Sequence, residues 1–87
     1  MIINKVIVLV RLESGDSIEC SVKVSDKKLS AKERKDLDKR IIQKIIPFVD
    51  ESLYFTVRTS IDGKKDNYKV KTLMELNSVL DGIFKEV

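Results

Sequence analysis

Ser30-Ala31-Lys32-Glu33 and Thr72-Leu73-Met74-Glu75 decide the fold, because each segment has the hydroxyl-x-x-Glu pattern of a helix capping box. In such a box the hydroxyl accepts a hydrogen bond from a backbone N–H of the first turn, and the glutamate reaches back to the cap residue. Each box precedes apolar residues at helical spacing. The two apolar stripes are Leu37, Ile41, Ile42 and Ile45, and Leu76, Leu80, Ile83, Phe84 and Val87. The sequence therefore predicts one helix over about residues 31–45 and another from about residue 73 to the C-terminus.

A hydrophobic hairpin pattern precedes the first helix. Residues 2–12 are apolar at nearly every position, and residues 18–24 alternate between apolar and polar side chains. A loop centred on Ser14-Gly15-Asp16 joins the two predicted strands. Pairing Leu12 with Ile18 brings the apolar residues of both strands to one face, whereas a slip by one residue would exchange the faces. The register predicted in this way is Leu12 with Ile18, Val10 with Cys20, Val8 with Val22 and Val6 with Val24, with Arg11 against Glu19 on the other face.

A second hairpin precedes the second helix. Its turn, Asp62-Gly63, suits a type I′ geometry, which needs a positive φ at both central residues. Closing this two-residue loop pairs Val57 with Tyr68 and Phe55 with Val70. The apolar face of this hairpin is then predicted to consist of Leu53, Phe55, Val57, Tyr68 and Val70.

The order of elements is thus ββαββα, which predicts an α+β two-layer sandwich. We expect a four-stranded, mainly antiparallel sheet with both helices on one face, in a single domain spanning residues 1–87. Pro47 is expected to end the first helix. No apolar run approaches the ~18 residues that a membrane span requires, so we expect a soluble protein without a membrane partner.

The composition removes most catalytic chemistry. The chain has no histidine and one cysteine, Cys20, which excludes imidazole-based catalysis, imidazole metal sites and an intramolecular thiolate zinc cluster. The few glycines form no phosphate-binding motif. We therefore predict a protein that is not an enzyme, with no cofactor and no metal. A lone cysteine among Ile18, Val22 and Val24 is most simply a small core residue, and it fits the reducing cytoplasm.

The first strand suggests an interaction surface. If its even-numbered residues face the helices, its odd-numbered apolar residues project from the open side of the sheet and would attract a partner. The alternative is a central strand whose open side is covered by a loop or a helix. On the first hypothesis we expect a protein partner, either a second copy in a homodimer or a larger target. The candidate partner-binding residues are Ile3, Ile7, Leu9, Arg11 and Tyr54.

A nucleic-acid-binding module is the second functional hypothesis. The segment from Asp26 to Lys44 has eight basic and four acidic residues, within a chain of net charge +3. Clustered cations gain affinity for phosphates by releasing condensed counterions, although a solvated helix face has the same composition. The candidate nucleic-acid-binding residues are Lys32, Lys35, Lys39, Arg40 and Lys44 on the first helix, and Arg58, Lys69 and Lys71 on the second hairpin.

From the first helix onward the chain resembles the DinI-like proteins, and residues 18–24 could stand for the opening strand of that family. The similar features are Lys39-Arg40 followed by Ile42, then Pro47, the acidic pair Asp50-Glu51, the strand end Thr56-Val57-Arg58, and a last helix with Glu75, Val79, Leu80 and Ile83. The resemblance covers about residues 18–84 and makes the first strand an added edge of the sheet. It implies a small damage-inducible or prophage-borne factor that modulates the RecA filament. Regulation of recombination, or inhibition on behalf of a mobile element, is the corresponding expectation.

Overall fold

A computed structural model describes residues 2–23 and 28–84, and of Lys23 only the backbone. The order of elements is ββαββα, as the sequence predicts, and the elements form a small α+β fold. The strands are β1 Ile3–Leu12, β2 Ser17–Lys23, β3 Ser52–Ile61 and β4 Lys64–Val70. The helices are α1 Ala31–Ile45 and α2 Leu73–Phe84, and a 3-10 turn spans Ile46–Glu51. Residues 24–27 and 85–87, to which the predicted β2 and α2 extend, lie outside the described residues.

The four strands form one antiparallel sheet in the order β2-β1-β3-β4. Strand β1 is therefore central, whereas the resemblance to DinI-like proteins implied that it was an edge. An edge position is wrong because β1 pairs along its length with both β2 and β3. The two outer strands are consequently β2 and β4.

Both helices begin at the predicted caps. The Ser30 hydroxyl accepts from the Glu33 N–H at 3.2 Å and the Glu33 carboxylate accepts from the Ser30 N–H at 3.1 Å, which completes the first capping box. At the second cap the Thr72 hydroxyl accepts from the Glu75 N–H at 3.1 Å and donates to the Glu75 carboxylate at 3.1 Å. Helix α1 ends at Ile45, two residues before Pro47, and the chain continues into the 3-10 turn.

The register predicted for the first hairpin is wrong by two residues. Val10 pairs with Ile18 and Val8 pairs with Cys20. The reason lies in the loop, where Leu12 N–H donates to the Asp16 carbonyl at 2.8 Å and Gly15 has a φ of 96°. This is the three-residue loop with a left-handed glycine, which is a common hairpin connection. Because the shift is an even number of residues, the predicted apolar face remains on the core side.

The second hairpin has the predicted register. Phe55 pairs with Val70 and Val57 pairs with Tyr68. Asp62 and Gly63 have φ values of 51° and 80°, so both central residues adopt the positive φ that the type I′ turn requires. A dipeptide at a tight turn thus fixes the pairing of the following strands.

The core lies between the sheet and the two helices. It is centred on β1 and β3, whose alternate residues are fully buried, and each helix contributes the apolar stripe that its sequence predicts, as far as the structure describes it. The side chains with almost no exposure are Val6, Val8, Val10, Ile41, Ile45, Phe55, Val57, Leu76 and Leu80. Cys20 is buried in the same cluster, as expected for a small core residue.

Two bulges interrupt the ladder between β1 and β3, and each overturns a prediction. Between Ile3 and Lys5 the register shifts because Asn4 is an extra residue on β1. Ile3 therefore turns to the core side and is only 2% exposed, so its predicted position on the open face is wrong. At the other end the shift leaves Leu53 as the extra residue on β3. Leu53 is 52% exposed. The alternation predicted that it shares the apolar face with Phe55, and this prediction is wrong.

Candidate interaction surface

The open face is the surface of the sheet that faces away from both helices. It is formed by alternate residues of all four strands, and the ladder places them in rows across the sheet. One row is Glu19-Leu9-Thr56-Lys69 and the next is Ser21-Ile7-Arg58-Asn67. The flanking rows are Ser17-Arg11-Tyr54 and Lys5-Ser60-Lys65.

Ile7 and Leu9 form the apolar centre of the open face. Both side chains are half-buried, because neighbouring strands lie on either side of β1. The central position of β1 therefore agrees with one part of the alternative hypothesis. The other part, a covered open side, does not hold for these two side chains, which keep part of their surface in solvent. Of the five candidate partner-binding residues, four lie on this face and Ile3 does not.

Cations surround this centre. Within the part of the chain that the structure describes, the strands place Lys5, Arg11, Arg58, Lys65 and Lys69 on the open face, and Glu19 is the acidic residue among them. A shallow depression at one end is lined by Lys5, Ile7, Arg58, Ser60, Lys65 and Asn67, and also by Thr59 and the acidic residue Asp66. The sequence reasoning missed Lys5 and Lys65 as surface candidates. Their signal is the alternation itself, since Lys5 stands two residues before Ile7 and Lys65 two residues before Asn67.

Tyr54 adds one aromatic ring to the open face. It is half-buried, and the Lys69 ammonium lies 4.2 Å from the centroid of its ring. This is a cation–π contact, in which the positive charge is attracted to the negative face of the ring. The contact leaves that face of the tyrosine already occupied.

The structure does not bring the nucleic-acid-binding candidates together. Those on α1 are all exposed, and they belong to the helix layer, whereas Arg58 and Lys69 lie on the opposite side of the sheet. Lys71 is exposed directly after β4. The exposed basic residues of α1 are Lys32, Lys35, Lys39, Arg40 and Lys44.

One cation of α1 is not part of that surface. Arg34 is only 6% exposed, and its guanidinium donates to the Leu29 carbonyl at 2.8 Å. The sequence gives no sign of this, because the residue stands within a run of charged side chains. Arg34 stabilises the approach of the chain to α1 and does not contribute to the exposed charge.

Cys20 has the properties of an inert thiol. Burial raises the pKa of the Cys20 thiol above its usual value, and the positive charge of Lys44 opposes this only in part. The thiolate is the reactive form of cysteine, so a raised pKa lowers its fraction at neutral pH. This thiol is therefore poorly suited to nucleophilic catalysis.

Asp38 and Asp81 form a carboxyl pair between the two helices. Burial and the negative charge of Asp81 both raise the pKa of Asp38. Its Oδ1 atom is buried and has no hydrogen-bond partner among the described residues. The groove beside Asp38 is also lined by Lys35, Asp36 and Lys39. The pair is thus a place where protonation of one carboxyl relieves repulsion between α1 and α2.

We expect Asp38→Asn to stabilise the fold at neutral pH, because it removes a negative charge that burial and Asp81 disfavour. The gain should be a few tenths to about 1 kcal/mol, since solvent screens this partly exposed site. The folded state holds the Asp38 proton more tightly than the unfolded chain does. The contribution of Asp38 to stability is therefore greatest at a pH below its pKa in the unfolded chain. It is lost as the pH rises through its pKa in the folded state. Urea denaturation from pH 3 to pH 7 should show a smaller loss of stability with rising pH for the variant than for the parent. Equal slopes for both proteins would contradict the assignment.

Neither described helix has the length and hydropathy needed to cross a membrane. In residues 2–23 and 28–84, no group of three or more His, Cys, Asp or Glu side chains is placed to hold a metal ion.

The fold and surface together define a small α+β chain with a cationic open sheet face. Comparison with protein-family models, with curated proteins and with solved structures found no match.

Proposed function

We propose that this chain is a non-catalytic interaction protein that binds another protein through its open face. The observation that carries the proposal is the placement of Ile7 and Leu9, side by side, at the centre of a polar sheet surface that neither helix covers. An apolar centre within a polar rim is the usual anatomy of a protein interface. Completing the burial of each side chain would contribute up to about 1.5–3 kcal/mol to association.

The remaining chemistry supports a binding role. The thiol is buried, the chain has no histidine, and the carboxyl pair lies between helices that pack on the other side of the sheet. A free, buried thiol also fits a cytoplasmic protein. The resemblance to DinI-like proteins makes a recombination filament one candidate target, and a second copy of the chain is another.

The basic face of α1 supports a second candidate function, which is nucleic-acid binding. Five exposed cations along one helix would neutralise several phosphates. Because Arg58 and Lys69 lie on the other side of the sheet, this candidate rests on α1 alone. The same experiment separates the two functions.

The test is affinity capture from a lysate of the cells that make the protein, with and without nuclease treatment, and with three tagged baits. Ile7→Glu changes the centre of the open face, and Lys35→Glu/Lys39→Glu is the matched control on the helix layer. We expect the parent and the control to capture the same protein. Ile7→Glu should bind this protein at least about tenfold more weakly, which is ~1.4 kcal/mol. Thermal melts of all three baits check that each is folded.

Each other outcome counts against the proposal. Material that disappears with nuclease, or that only Lys35→Glu/Lys39→Glu loses, supports nucleic-acid binding through α1. Equal capture by all baits, or no capture by the parent, overturns binding through the open face. Recovery of an untagged copy of the chain that depends on Ile7 identifies a homodimer and supports it.

A further inference from the structure

We infer that the partner segment on the open face is acidic and amphipathic, with apolar side chains against Ile7 and Leu9 and carboxylates against the surrounding cations. This inference rests on the proposed function and adds the chemistry of the partner. It follows from three properties of the open face, namely its charge, its dimensions and the state of its aromatic ring.

The charge of the open face is strongly unbalanced. Glu19 is the acidic residue that the described strands place there, against the five cations named above. A neutral or basic partner would desolvate these cations or oppose them, and either effect costs free energy. An acidic partner would pair with them, which also increases the rate of encounter.

The spacing of the cations defines the length of the segment. Lys5 and Arg11 lie on β1 on either side of Ile7 and Leu9, six residues apart in the strand. At about 3.3 Å per residue this separation is roughly 20 Å. A helix covers that length in about 13 residues, or between three and four turns. The segment should therefore carry carboxylates at both ends of an apolar stripe of this length.

The aromatic content of the face favours a protein over a nucleic acid. Single-stranded nucleic acids bind sheets by stacking bases on aromatic rings. Tyr54 is the one aromatic residue that the described strands place on the open face, and the Lys69 ammonium lies over its ring. The centre of the face is aliphatic. The surface thus offers charge for phosphates but little stacking area for bases.

Fluorescence anisotropy with three labelled probes tests the inference at ~0.15 M salt. The first probe is a helical peptide of about 18 residues with leucines on one face and glutamates on the other. The second is a scrambled peptide of the same composition, and the third is a single-stranded oligo(dT) of similar length. We expect the amphipathic acidic peptide to bind at least about tenfold more tightly than either of the other probes.

Two variants assign the binding to the open face. Arg11→Glu/Arg58→Glu should lower the affinity for the amphipathic peptide by at least about tenfold. Lys35→Glu/Lys39→Glu should change this affinity by less than about twofold. All four positions are exposed, so melts of both variants should match the parent. Loss of affinity in the open-face variant alone supports the inference.

Three results overturn it. Equal binding of the scrambled peptide means that only net charge matters. Tighter binding of oligo(dT) that Arg11→Glu/Arg58→Glu weakens means that the face prefers nucleic acid. No saturable binding of the amphipathic peptide means that the face does not take an acidic helix. If capture from lysate still depends on Ile7 in any of these cases, the proposed function stands and only the acidic, amphipathic character inferred for the partner segment fails.

Discussion

Phe55→Ala is expected to destabilise the domain by about 3–5 kcal/mol, the cost of deleting a buried aromatic side chain and leaving a cavity. Phe55 has no exposed surface and is the largest of the fully buried side chains. It lies in β3 between Val10 of β1 and Val70 of β4, so its ring contributes to the middle of the sheet. A small domain has a total stability of about 5–15 kcal/mol, so this variant should be largely unfolded at a temperature at which the parent is folded.

Urea denaturation followed by circular dichroism measures the effect. Tyr54→Ala is the matched control, because it removes the neighbouring aromatic ring from the half-buried position on the open face. We expect the free energy of unfolding of the control to fall by about 0.5–1 kcal/mol through loss of the cation–π contact, and by a further small amount through loss of packing. If the two variants were equally stable, the assignment of Phe55 to the core side of β3 would be wrong.

Ile3→Lys and Leu9→Lys should differ sharply in stability, although both residues have odd numbers in the same apolar strand. Ile3 is buried beneath the bulge at Asn4, so a lysine there loses about 1.5–3 kcal/mol of apolar burial and adds the cost of desolvating an ammonium. Leu9 lies on the open face, where a lysine can extend into solvent beside Glu19. We expect the first variant to be unfolded and the second to melt within a few degrees of the parent.

Thermal melts of the purified variants decide between the bulged strand and a regular one. A regular alternation puts Ile3 and Leu9 on the same face and predicts similar melting temperatures for both variants. Unfolding of Leu9→Lys together with a stable Ile3→Lys would reverse the faces of β1. The second of these results would also remove the open face as the site of the proposed interaction.

The alternation of β1 accounts for most of the open face but not for its end at Ile3. The alternation of β1 correctly separates Val8 from Ile7 and Leu9, because side chains of a strand point to opposite faces in turn. It fails at Ile3, since the bulge at Asn4 exists only in the pairing of β1 with β3. The side chain of Asn4 accepts from the Gly63 N–H at 3.2 Å, so the bulge also contacts the turn of the second hairpin. A contact between residues 59 positions apart leaves no local pattern in the sequence.

The sequence by itself determined the features that depend on neighbouring residues. Each helix begins at a hydroxyl that accepts from an N–H three residues later, and the β3–β4 register follows from the positive φ that Asp62-Gly63 adopts. The tertiary structure alone decided the central position of β1, the bulges beside Ile3 and Leu53, and the burial of Arg34. These features depend on which strands pair and which side chains the helices cover. Capping and tight turns are satisfied within a few residues, whereas strand order and bulges minimise the free energy of the whole packed chain.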